Sequence, residues 1–476
     1  MWDFYTGKNL FITGGSGFLG TALIYRLVTQ APAAHLYILC RGGLPYVDFV
    51  STTLVPPSQR LIMRQQEANK NMERGPPTTS SGANDRSKVL DGDMLQPDFG
   101  LTSNNLDIIR RQVHVIIHSA SSIALLSSLA KLVSPVIEVS ERLAHFALEC
   151  KNLECFVYVS TAYANGHLFS QTDMTSEIEV QEAIFPLSHS TVSSDKDDSL
   201  QQEWYQVRKT GSSTAFESHD FPWAYAYAKH LTERLITRLF DSSDKRLLVI
   251  RPSIIDPAQC FPYRNYCRPM SSPHVIASGA FCLVLSRTVC FSSQFRNPDQ
   301  ESTLDQVPVD VVVDRLLVHL ASGTSGPVHT VAGAARMPFL HSWNSSFKYR
   351  RIPWSLRLKW VSDSRESKKI HEIGKLYRVI GMSFNFVEDK STAIWNQLPR
   401  SERSKLHLFA DKDMLFYGHK HIRREHVWTC IVHLTKRRKV TRWLAKLLYQ
   451  SLQSAESPEG SESICPCVSQ GSKGQC

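Results

Sequence analysis

Two tyrosine–lysine pairs in this chain have a spacing that could support proton transfer. Tyr225 precedes Lys229 by four residues in AYAYAKHLTE, and Tyr205 precedes Lys209 by four residues in EWYQVRKTG. Residues four apart lie on one face of a helix, about one turn from each other. An ammonium group there favours the ionised phenol, so it would lower the tyrosine pKa and make the phenol a usable acid near neutral pH. Each pair is a candidate for general acid–base chemistry.

The surrounding residues distinguish the two pairs. Tyr225 begins YAYAKHLTERLITRLF, whose apolar residues recur at helical spacing and which leads into the apolar stretch RLLVIRPSII. Tyr205 lies in a polar excursion, and the residues after its pair, TGSSTAFESHD, are not expected to extend a helix. We therefore predict that Tyr225 and Lys229 are catalytic and that the pair at Tyr205 occurs by chance. Tyr227 should point away from this pair and pack or line the pocket wall.

A glycine-rich turn near the start of the chain indicates a nucleotide site. FITGGSGFLGTAL places glycines directly after a strand-like stretch and at the start of an amphipathic helix. Glycine lets the backbone turn sharply and approach a pyrophosphate, and a helix N-terminus offers free N–H groups to phosphate. This context predicts a βαβ dinucleotide-binding unit. The residues expected at the cofactor here are Thr13, Gly14, Gly15, Ser16, Gly17, Phe18, Leu19 and Gly20.

Residues after the next strand-like stretches should complete the cofactor site. Arg41, in LYILCRGG, follows the second of them, where a guanidinium fits a 2′-phosphate and favours NADPH over NADH. The alternative is an arginine at a strand edge without a ligand. Asp93 and Met94 follow the third stretch, and the Asp93 carboxylate could accept from the adenine amino group. Ser119 and Ala120 end the fourth, where small side chains would let the cofactor cross the sheet.

The elements that must position these residues alternate along residues 9–165. Strand-like stretches are NLFITGG, HLYILCR, KVLDGDM, VHVIIHSAS and CFVYVSTAYAN, and a helix interrupted near Pro135 separates the last two. This order predicts an α/β fold, a doubly wound parallel sheet with helices on both faces. Ligands bind at the carboxyl ends of such strands. A hydroxyl of Ser160 or Thr161 would emerge there and hydrogen-bond the substrate oxygen beside Tyr225, while Lys229 would also hold the nicotinamide ribose.

Charge is distributed unevenly along the 476 residues. The net charge is +10, and residues 341–450 alone carry 24 Lys and Arg against 9 Asp and Glu. A basic region could face phosphate, an anionic carrier protein or a membrane surface, whereas the alternative is a solvated basic surface. Its stretch WTCIVHLTKRRKVTRWLAKLLYQSL could lie peripherally on an anionic membrane or dock on the domain as an ordinary amphipathic helix. We expect no nucleic-acid partner.

Cysteine usage and hydropathy suggest a cellular compartment. The 11 cysteines are scattered, no long apolar run precedes the glycine turn, and no zinc-like spacing occurs, so we expect free thiols, a reducing compartment and no metal. No run of ~18 apolar residues is present, which argues against a spanning helix. We therefore expect a cytoplasmic protein, and peripheral membrane association stays open.

Several stretches together resemble the fatty acyl-CoA reductase family, which are extended short-chain dehydrogenases/reductases with a male-sterility-type NAD-binding domain. The matching stretches are TGGSGFLG, GDMLQPDFGL, VHVIIHSAS, FVYVSTAYAN, YAYAK, RPSII and VPVDVVVDRLLVHLA. The resemblance implies a Rossmann reductase domain over residues 1–335, with substrate-side insertions at about 169–221 and 256–305. It also implies a basic, mostly helical region over 336–450 and, with the low-complexity composition beyond it, a disordered tail over 451–476. Pro252, Ser253 and Ile254 of RPSII would adjoin the cofactor.

The resemblance implies NADPH-dependent reduction of an acyl thioester, bound to CoA or a carrier protein, to an aldehyde or onward to a primary alcohol. Tyr225 and Ser160 or Thr161 would stabilise the oxyanion, and Tyr225 would supply its proton. Two alternatives stay open. One is a dehydrogenase, reductase or epimerase of the extended short-chain type that acts on a small-molecule carbonyl or hydroxyl, for example in secondary metabolism. The other is a nucleotide-sensing protein without catalysis.

Overall fold

The computed structural model describes residues 1–31, 33–42, 87–125, 127–187, 196–268, 270–347, 356–364, 367–415 and 424–435. Three predicted features lie outside the described residues. They are most of the excursion between the second and third strands, the basic run 436–439 and the tail 451–476.

The strands alternate with helices along the chain, as the sequence predicts. The strands are β1 Asn9–Thr13, β2 His35–Cys40, β3 Ser87–Asp91, β4 Val115–His118, β5 Cys155–Val159, β6 Ile178–Val180, β7 Arg246–Pro252, β8 Ile254–Asp256, β9 Thr288–Ser292, β10 Thr303–Leu304, β11 Gln306–Pro308, β12 Gly326–Thr330, β13 Met337–Pro338, β14 Arg357–Val361 and β15 Phe384–Phe386.

The helices follow the same chain order. They are α1 Phe18–Gln30, α2 Ser103–Gln112, α3 Leu129–Leu132, α4 Val139–Glu149, α5 Lys196–Thr210, α6 Thr214–Ser218, α7 Ala224–Asp241, α8 Pro273–Phe281, α9 Pro298–Glu301, α10 Val309–Ala321, α11 Phe339–Phe347, α12 Glu372–Leu376, α13 Asp389–Gln397, α14 Arg400–Arg403 and α15 Arg424–Leu434. A π-helical turn, Val133–Glu138, joins α3 to α4 and accounts for the predicted interruption near Pro135. Short 3₁₀ segments are Trp2–Tyr5, Pro97–Gly100, Ala162–Gln171 and Gly333–Ala335.

A seven-stranded parallel sheet forms the centre of the molecule. Its strand order is β3-β2-β1-β4-β5-β7-β12, so the order reverses between β1 and β4. In doubly wound folds the ligand lies across the carboxyl ends of the strands at that reversal. The predicted α/β fold is therefore confirmed, and it places the residues after β1, β4, β5 and β7 along one edge.

Apolar side chains cover both faces of this sheet. Leu10 and Ile12 of β1 pack with α1 and α10 on one face, whereas Phe11 packs on the other face with α4 and α7. Every residue of β4 and β5 is buried, as expected for strands covered on two sides. The burial of these central strands gives the site residues at their ends a rigid base.

The described part of the C-terminal region contains five helices and three strands, and its strands join earlier parts of the chain. β14 pairs in parallel with β9, β15 pairs in parallel with β6, and β13 pairs antiparallel with β10. The partners belong to the two predicted insertions. The region and the insertions therefore share one apolar cluster, which also includes Ala162 and Tyr163 after β5.

Helix α15 packs against α8. Val427, Cys430 and Ile431 are fully buried, and a Cβ atom on Gly279 would lie 3.0 Å from the Cys430 Cβ. For these residues the structure agrees with a docked amphipathic helix. Within the described ranges, no helix has the length and apolar character needed to cross a bilayer.

Candidate active site

The glycine turn adopts a conformation that other residues could not hold. Gly14 has a φ of 73°, and a Cβ atom on it would lie 2.7 Å from the Ala120 backbone nitrogen. A Cβ atom on Gly20 would lie 2.1 Å from the Gly14 carbonyl oxygen. Gly17 caps α1 without a side-chain hydrogen bond, so no capping side chain covers the N–H groups of the first helical turn. The turn leaves an open cradle that suits a pyrophosphate.

Most of the other residues of the glycine turn are buried against neighbouring elements. The Thr13 hydroxyl is buried and lies 2.8 Å from His118 Nδ1, and Phe18 and Leu19 are buried in the first turn of α1. A Cβ atom on Gly15 would lie 2.4 Å from Ile38 Cγ2. Gly15 is therefore needed for packing, and Ser16, beside it, remains half-exposed.

Small residues after β4 lie against this turn. Ser119 Oγ donates a hydrogen bond of 2.7 Å to the Thr13 carbonyl, and the Ala120 N–H donates to Thr13 Oγ1 over 3.4 Å. These bonds join the ends of β1 and β4 at the reversal of strand order. The structure thus brings the predicted residues of both strands together.

Arg41, Asp93 and Met94 lie farther along the same edge. Arg41 directly follows β2 and is exposed, and the next residue, Gly42, donates its N–H to Asp91 Oδ1 over 2.9 Å. The Asp93 carboxylate accepts from the Leu95 N–H over 3.0 Å, and the Met94 carbonyl accepts from Arg142. With the glycine cradle and the open helix N-terminus, this edge fits a nicotinamide dinucleotide, and Arg41 is an exposed cation at the end of β2.

Lys229 lies beneath the predicted catalytic tyrosine. It is 1% exposed, its Nζ donates 2.8 Å to the Val159 carbonyl, and the same atom lies 4.6 Å from the centre of the Tyr158 ring and 5.9 Å from that of Tyr225. Burial lowers the pKa of Lys229 to about 7, and the negative charge of Glu233, one turn farther along α7, opposes that shift. Lys229 can therefore both hold and release a proton near neutral pH.

The predicted lowering of the Tyr225 pKa is wrong for this geometry. Desolvation of the Tyr225 phenol raises its pKa well above the usual value. The Lys229 ammonium is directed toward the Val159 carbonyl, and it lies over the ring of Tyr225 without a hydrogen bond to the hydroxyl. Tyr225 is therefore a neutral phenol that can donate its proton, and Lys229 is close enough to be part of the same site.

The two hydroxyls after β5 have different surroundings. Thr161 Oγ1 donates to the Pro252 carbonyl over 3.3 Å and accepts from the Tyr163 N–H over 3.3 Å, so it caps the 3₁₀ segment. Ser160 is 4% exposed, and its Oγ has no hydrogen-bond partner among the described residues. A buried hydroxyl without a partner is costly unless a ligand completes it. Ser160 therefore has a hydroxyl available to a substrate, whereas that of Thr161 is already bonded.

The other tyrosines of the two motifs lie outside this constellation. Tyr227 is fully buried and its hydroxyl donates to Glu203 Oε1 over 2.5 Å, which confirms the predicted packing role. Tyr205 lies on helix α5, contrary to our expectation for its segment. The helix forms because Trp204 and Val207 bury their side chains, and Tyr205 itself is 60% exposed on the solvent side.

The segment after β7 lies at the same carboxyl edge of the central sheet. Pro252 ends β7, and Ser253 Oγ donates 2.5 Å to Asp305 Oδ1, which also accepts 2.7 Å from the Ala332 N–H. Asp305 Oδ2 is buried and has no hydrogen-bond partner in the described part of the chain. Ile254 begins β8 and turns toward the substrate side.

Three residues of this neighbourhood were not predicted. His118 bonds Thr13 and Ser140, Tyr158 lies between Lys229 and His118, and Asp305 holds Ser253. His118 and Tyr158 lay within predicted strands, where their positions near the strand ends were a usable signal. Asp305 carried no such signal in the sequence, because its role depends on the contact with Ser253, which lies 52 positions away in the chain.

Two cavities lie on the substrate side, mainly between the two insertions and the C-terminal region. One of about 260 Å³ is lined by both polar and apolar residues, namely Phe169, Met174, Asp220, Ser292, Ser293, Gln294, Ser364, Arg378 and Gly381. The second, of about 40 Å³, is mostly apolar and is lined by Ile254, Pro273, His274, Ala277, Phe281, Leu304, Gln306, Phe339, Ser342, Tyr377, Val379 and Ile380.

Known proteins resemble this chain in sequence and in fold. Fatty acyl-CoA reductase 1 of Homo sapiens is 27% identical over 323 residues, which cover 66% of this chain and 55% of that protein. Fatty acyl-CoA reductase 2 of Homo sapiens is 25% identical over 366 residues, 71% of this chain and 63% of that protein. The chain thus matches less than two thirds of the length of these curated relatives.

Among solved structures, the terminal R domain from the myxalamid PKS-NRPS biosynthetic pathway superposes with a TM-score of 0.51 at 14% sequence identity. The superposition covers 91% of this chain and 92% of that one, and it supports the fold.

The family model for an NAD-binding domain described as male sterility protein matches residues 12–316. The match spans more than half of the chain. It contains the glycine turn, the ends of β4 and β5, and the Tyr225–Lys229 helix. The chain therefore belongs to the male sterility protein family.

Proposed function

We propose that this protein is an NADPH-dependent reductase that converts an activated acyl thioester to an aldehyde or a primary alcohol. The observation that supports the proposal is that Lys229 Nζ lies 5.9 Å from the centre of the Tyr225 ring and donates to the carbonyl of Val159, the residue before Ser160, at the same edge of the sheet as the glycine cradle. The named relatives are fatty acyl-CoA reductases, which supports a thioester as the substrate class.

The cofactor supplies the hydride of this reaction when it is bound. The protein's own residues then hydrogen-bond the carbonyl oxygen and deliver a proton to it. Ser160 Oγ, which has no hydrogen-bond partner among the described residues, donates a hydrogen bond to the carbonyl oxygen, and the neutral Tyr225 phenol delivers the proton to that oxygen. Hydride addition to the carbonyl carbon and this proton give a hemithioacetal. Its carbon–sulfur bond then breaks, and the hydroxyl proton passes to the departing thiolate, so that an aldehyde and a thiol are released. A second equivalent of NADPH and a second proton would reduce the aldehyde to the alcohol.

Lys229 is the amine beside Tyr225 in this proposal, and it would hold the nicotinamide ribose. Its Nζ lies 5.9 Å from the centre of the Tyr225 ring, and burial lowers its pKa to about 7. Arg41 supports the choice of NADPH, because an exposed guanidinium at the end of β2 can bind a 2′-phosphate bidentately.

Tyr225→Phe tests the proposal. We expect acyl-CoA-dependent NADPH oxidation to fall by ~100-fold or more, because a positioned acid contributes about that much to the rate. NADPH binding, measured by its fluorescence, should stay close to wild type. The matched control is Tyr205→Phe, since that tyrosine has the same spacing to a lysine but is exposed, and its turnover should be unchanged.

Two outcomes would contradict the proposal. If Tyr225→Phe retains both binding and turnover, Tyr225 is not the acid. If the wild-type protein reduces aldehydes or ketones but no acyl thioester, it is a carbonyl reductase of the same fold.

A further inference from the structure

The second insertion, residues 256–305, begins with a closed loop whose backbone is held by hydrogen bonds. The Ala258 N–H donates to the Tyr266 carbonyl over 3.0 Å, which closes the loop. The Asp310 carboxylate at the start of α10 accepts three N–H groups of the loop, those of Gln259, Cys260 and Phe261. These bonds give the loop a fixed backbone and a fixed position beside α10.

Aromatic side chains pack this loop on the first helix of the nucleotide-binding unit. The Phe261 ring lies 6.3 Å from the ring of Tyr25, and its centre lies 4.5 Å from Arg26 Cζ. Farther along the loop, the ring centres of Tyr266 and Phe18 are 5.5 Å apart. Phe18 is the first residue of α1 and directly follows the glycine turn. The loop therefore reaches the turn that fits a pyrophosphate.

Arg268 follows Tyr266 by two residues and lies near the end of β2. Burial raises the pKa of the Cys40 thiol, whereas hydrogen bonds with Ser16 and the charge of Arg268 lower it. Burial also raises the pKa of the Tyr266 phenol, and the Arg268 charge again opposes the shift. Cys40 is the last residue of β2, and Ser16 belongs to the glycine turn. The Arg268 guanidinium is therefore near the place where β2 meets that turn.

Two guanidinium groups in this neighbourhood have no bonded partner in the described part of the chain. Neither a hydrogen bond nor an ion pair joins the half-buried Arg268 side chain or the exposed Arg41 side chain to another described residue. Arg264 of the same loop differs, because its Nη2 lies 3.1 Å from Met414 Sδ. Like charges in one neighbourhood repel each other, and a bound phosphate would remove that repulsion. The ribose 2′ substituent of a dinucleotide lies at the end of the second strand in this type of fold.

We propose that Arg268 is a specificity-determining residue that binds the 2′-phosphate of NADPH together with Arg41. This assignment rests on the proposed function, from which it takes the cofactor, and it adds a contact from the second insertion. A phosphate monoester carries a charge of about −1.5 to −2 at pH 7, so it can accept hydrogen bonds from two guanidinium groups. The first βαβ unit supplies one cation, and the loop packed on α1 supplies the other.

The test measures the dissociation constants of NADPH and NADH by cofactor fluorescence, using the full chain. Arg268→Met should raise the constant for NADPH by ~10-fold or more and that for NADH by less than ~2-fold, because only NADPH carries the 2′-phosphate. NADH binding also reports whether the loop and the glycine turn stay intact in the variant. Arg268→Lys keeps the positive charge without the bidentate geometry, so it should recover part of the lost NADPH affinity.

Arg264→Met is the matched control. It removes an arginine from the same loop, but one that contacts Met414, so both dissociation constants should match wild type.

Three outcomes would overturn the assignment. They are an unchanged NADPH affinity in Arg268→Met, equal weakening of NADPH and NADH, and a wild-type protein that binds NADPH no more tightly than NADH. Equal weakening would place the guanidinium at the pyrophosphate, which both cofactors carry. Because binding is measured without turnover, a failure to reduce acyl thioesters would remove the proposed reaction and leave this assignment standing.

Discussion

Lys229 illustrates how the surroundings of a single residue in this site change its pKa. Its ammonium group is removed from water, and in the described part of the chain a carbonyl, two aromatic rings and the charge of Glu233 partly compensate for that loss. Glu233 is itself held by Arg251 in a fully buried ion pair, with bonds of 3.0 and 2.5 Å. Breaking such a pair by removing one partner typically costs about 3–5 kcal/mol. Glu233 therefore contributes to both the fold and the charge of Lys229.

The choice of cofactor can be tested at one residue. Arg41→Ala should raise the dissociation constant for NADPH by ~10-fold or more and change that for NADH little, because only NADPH carries the 2′-phosphate. Fluorescence titration with both cofactors measures the difference. Arg111→Ala is the control, since Arg111 is an exposed arginine at the end of α2, near the opposite edge of the sheet. Equal weakening of both cofactors by Arg41→Ala would contradict the assignment.

At the scale of elements, the β1–α1 turn depends on backbone packing. The third glycine, Gly20, lies so close to the Gly14 carbonyl that a methyl group has no room, whereas Gly17 has more space and a φ of −78°. The close approach brings the first turn of α1 over the end of β1. The same contact therefore determines both helix packing and the direction of the N–H groups that face a phosphate.

Gly20→Ala should destabilise the protein by about 1–3 kcal/mol, because the clash involves backbone that cannot rotate away. Gly17→Ala places its methyl group 3.1 Å from the Gly14 carbonyl and should stay within about 1 kcal/mol of wild type. Urea unfolding of both variants measures the difference. Equal stability of the two would show that α1 can shift away from β1 and that the turn is not constrained as described.

At the scale of the whole molecule, buried neutral histidines link stability to pH. Burial lowers the pKa of His118, His319 and His329 to about 3 and that of His167 to about 4, and it lowers the pKa of His230 as well. Unfolding exposes these side chains to water and restores the ordinary pKa of about 6.5. Below that pH the unfolded state binds protons that the folded state excludes, so stability falls with pH.

We therefore expect the free energy of unfolding to decrease as the pH falls from 7 to 5.5, with the slope still increasing at 5.5. Burial raises the pKa values of Asp305 and Glu182, and these two groups act in the opposite direction, because the folded state binds their protons more tightly than the unfolded state. Urea unfolding at several pH values gives the slope, which reports the protons taken up. His319→Asn should reduce the uptake by at most one proton. A flat profile between pH 7 and 5.5 would contradict the expected linkage.

Much of the site could be predicted because its signals are local. The glycine turn, Arg41 and the Tyr225–Lys229 spacing each occupy a few consecutive residues, and the positions of strands and helices follow from the periodicity of apolar residues. The helical character of the segment around Tyr205 was missed, because its few apolar residues show their helical role only once Trp204 and Val207 are seen to be buried.

The sequence by itself determined the α/β order, the nucleotide turn and the candidate acid, because each depends on residues that are neighbours in the chain. Only the tertiary structure decided which hydroxyl after β5 is available, since Thr161 is bonded to Pro252 from another strand. It also decided the direction of the Tyr225 pKa shift and the positions of the two cavities on the substrate side. These features arise from burial and from contacts between distant segments, and local periodicity carries no information about either.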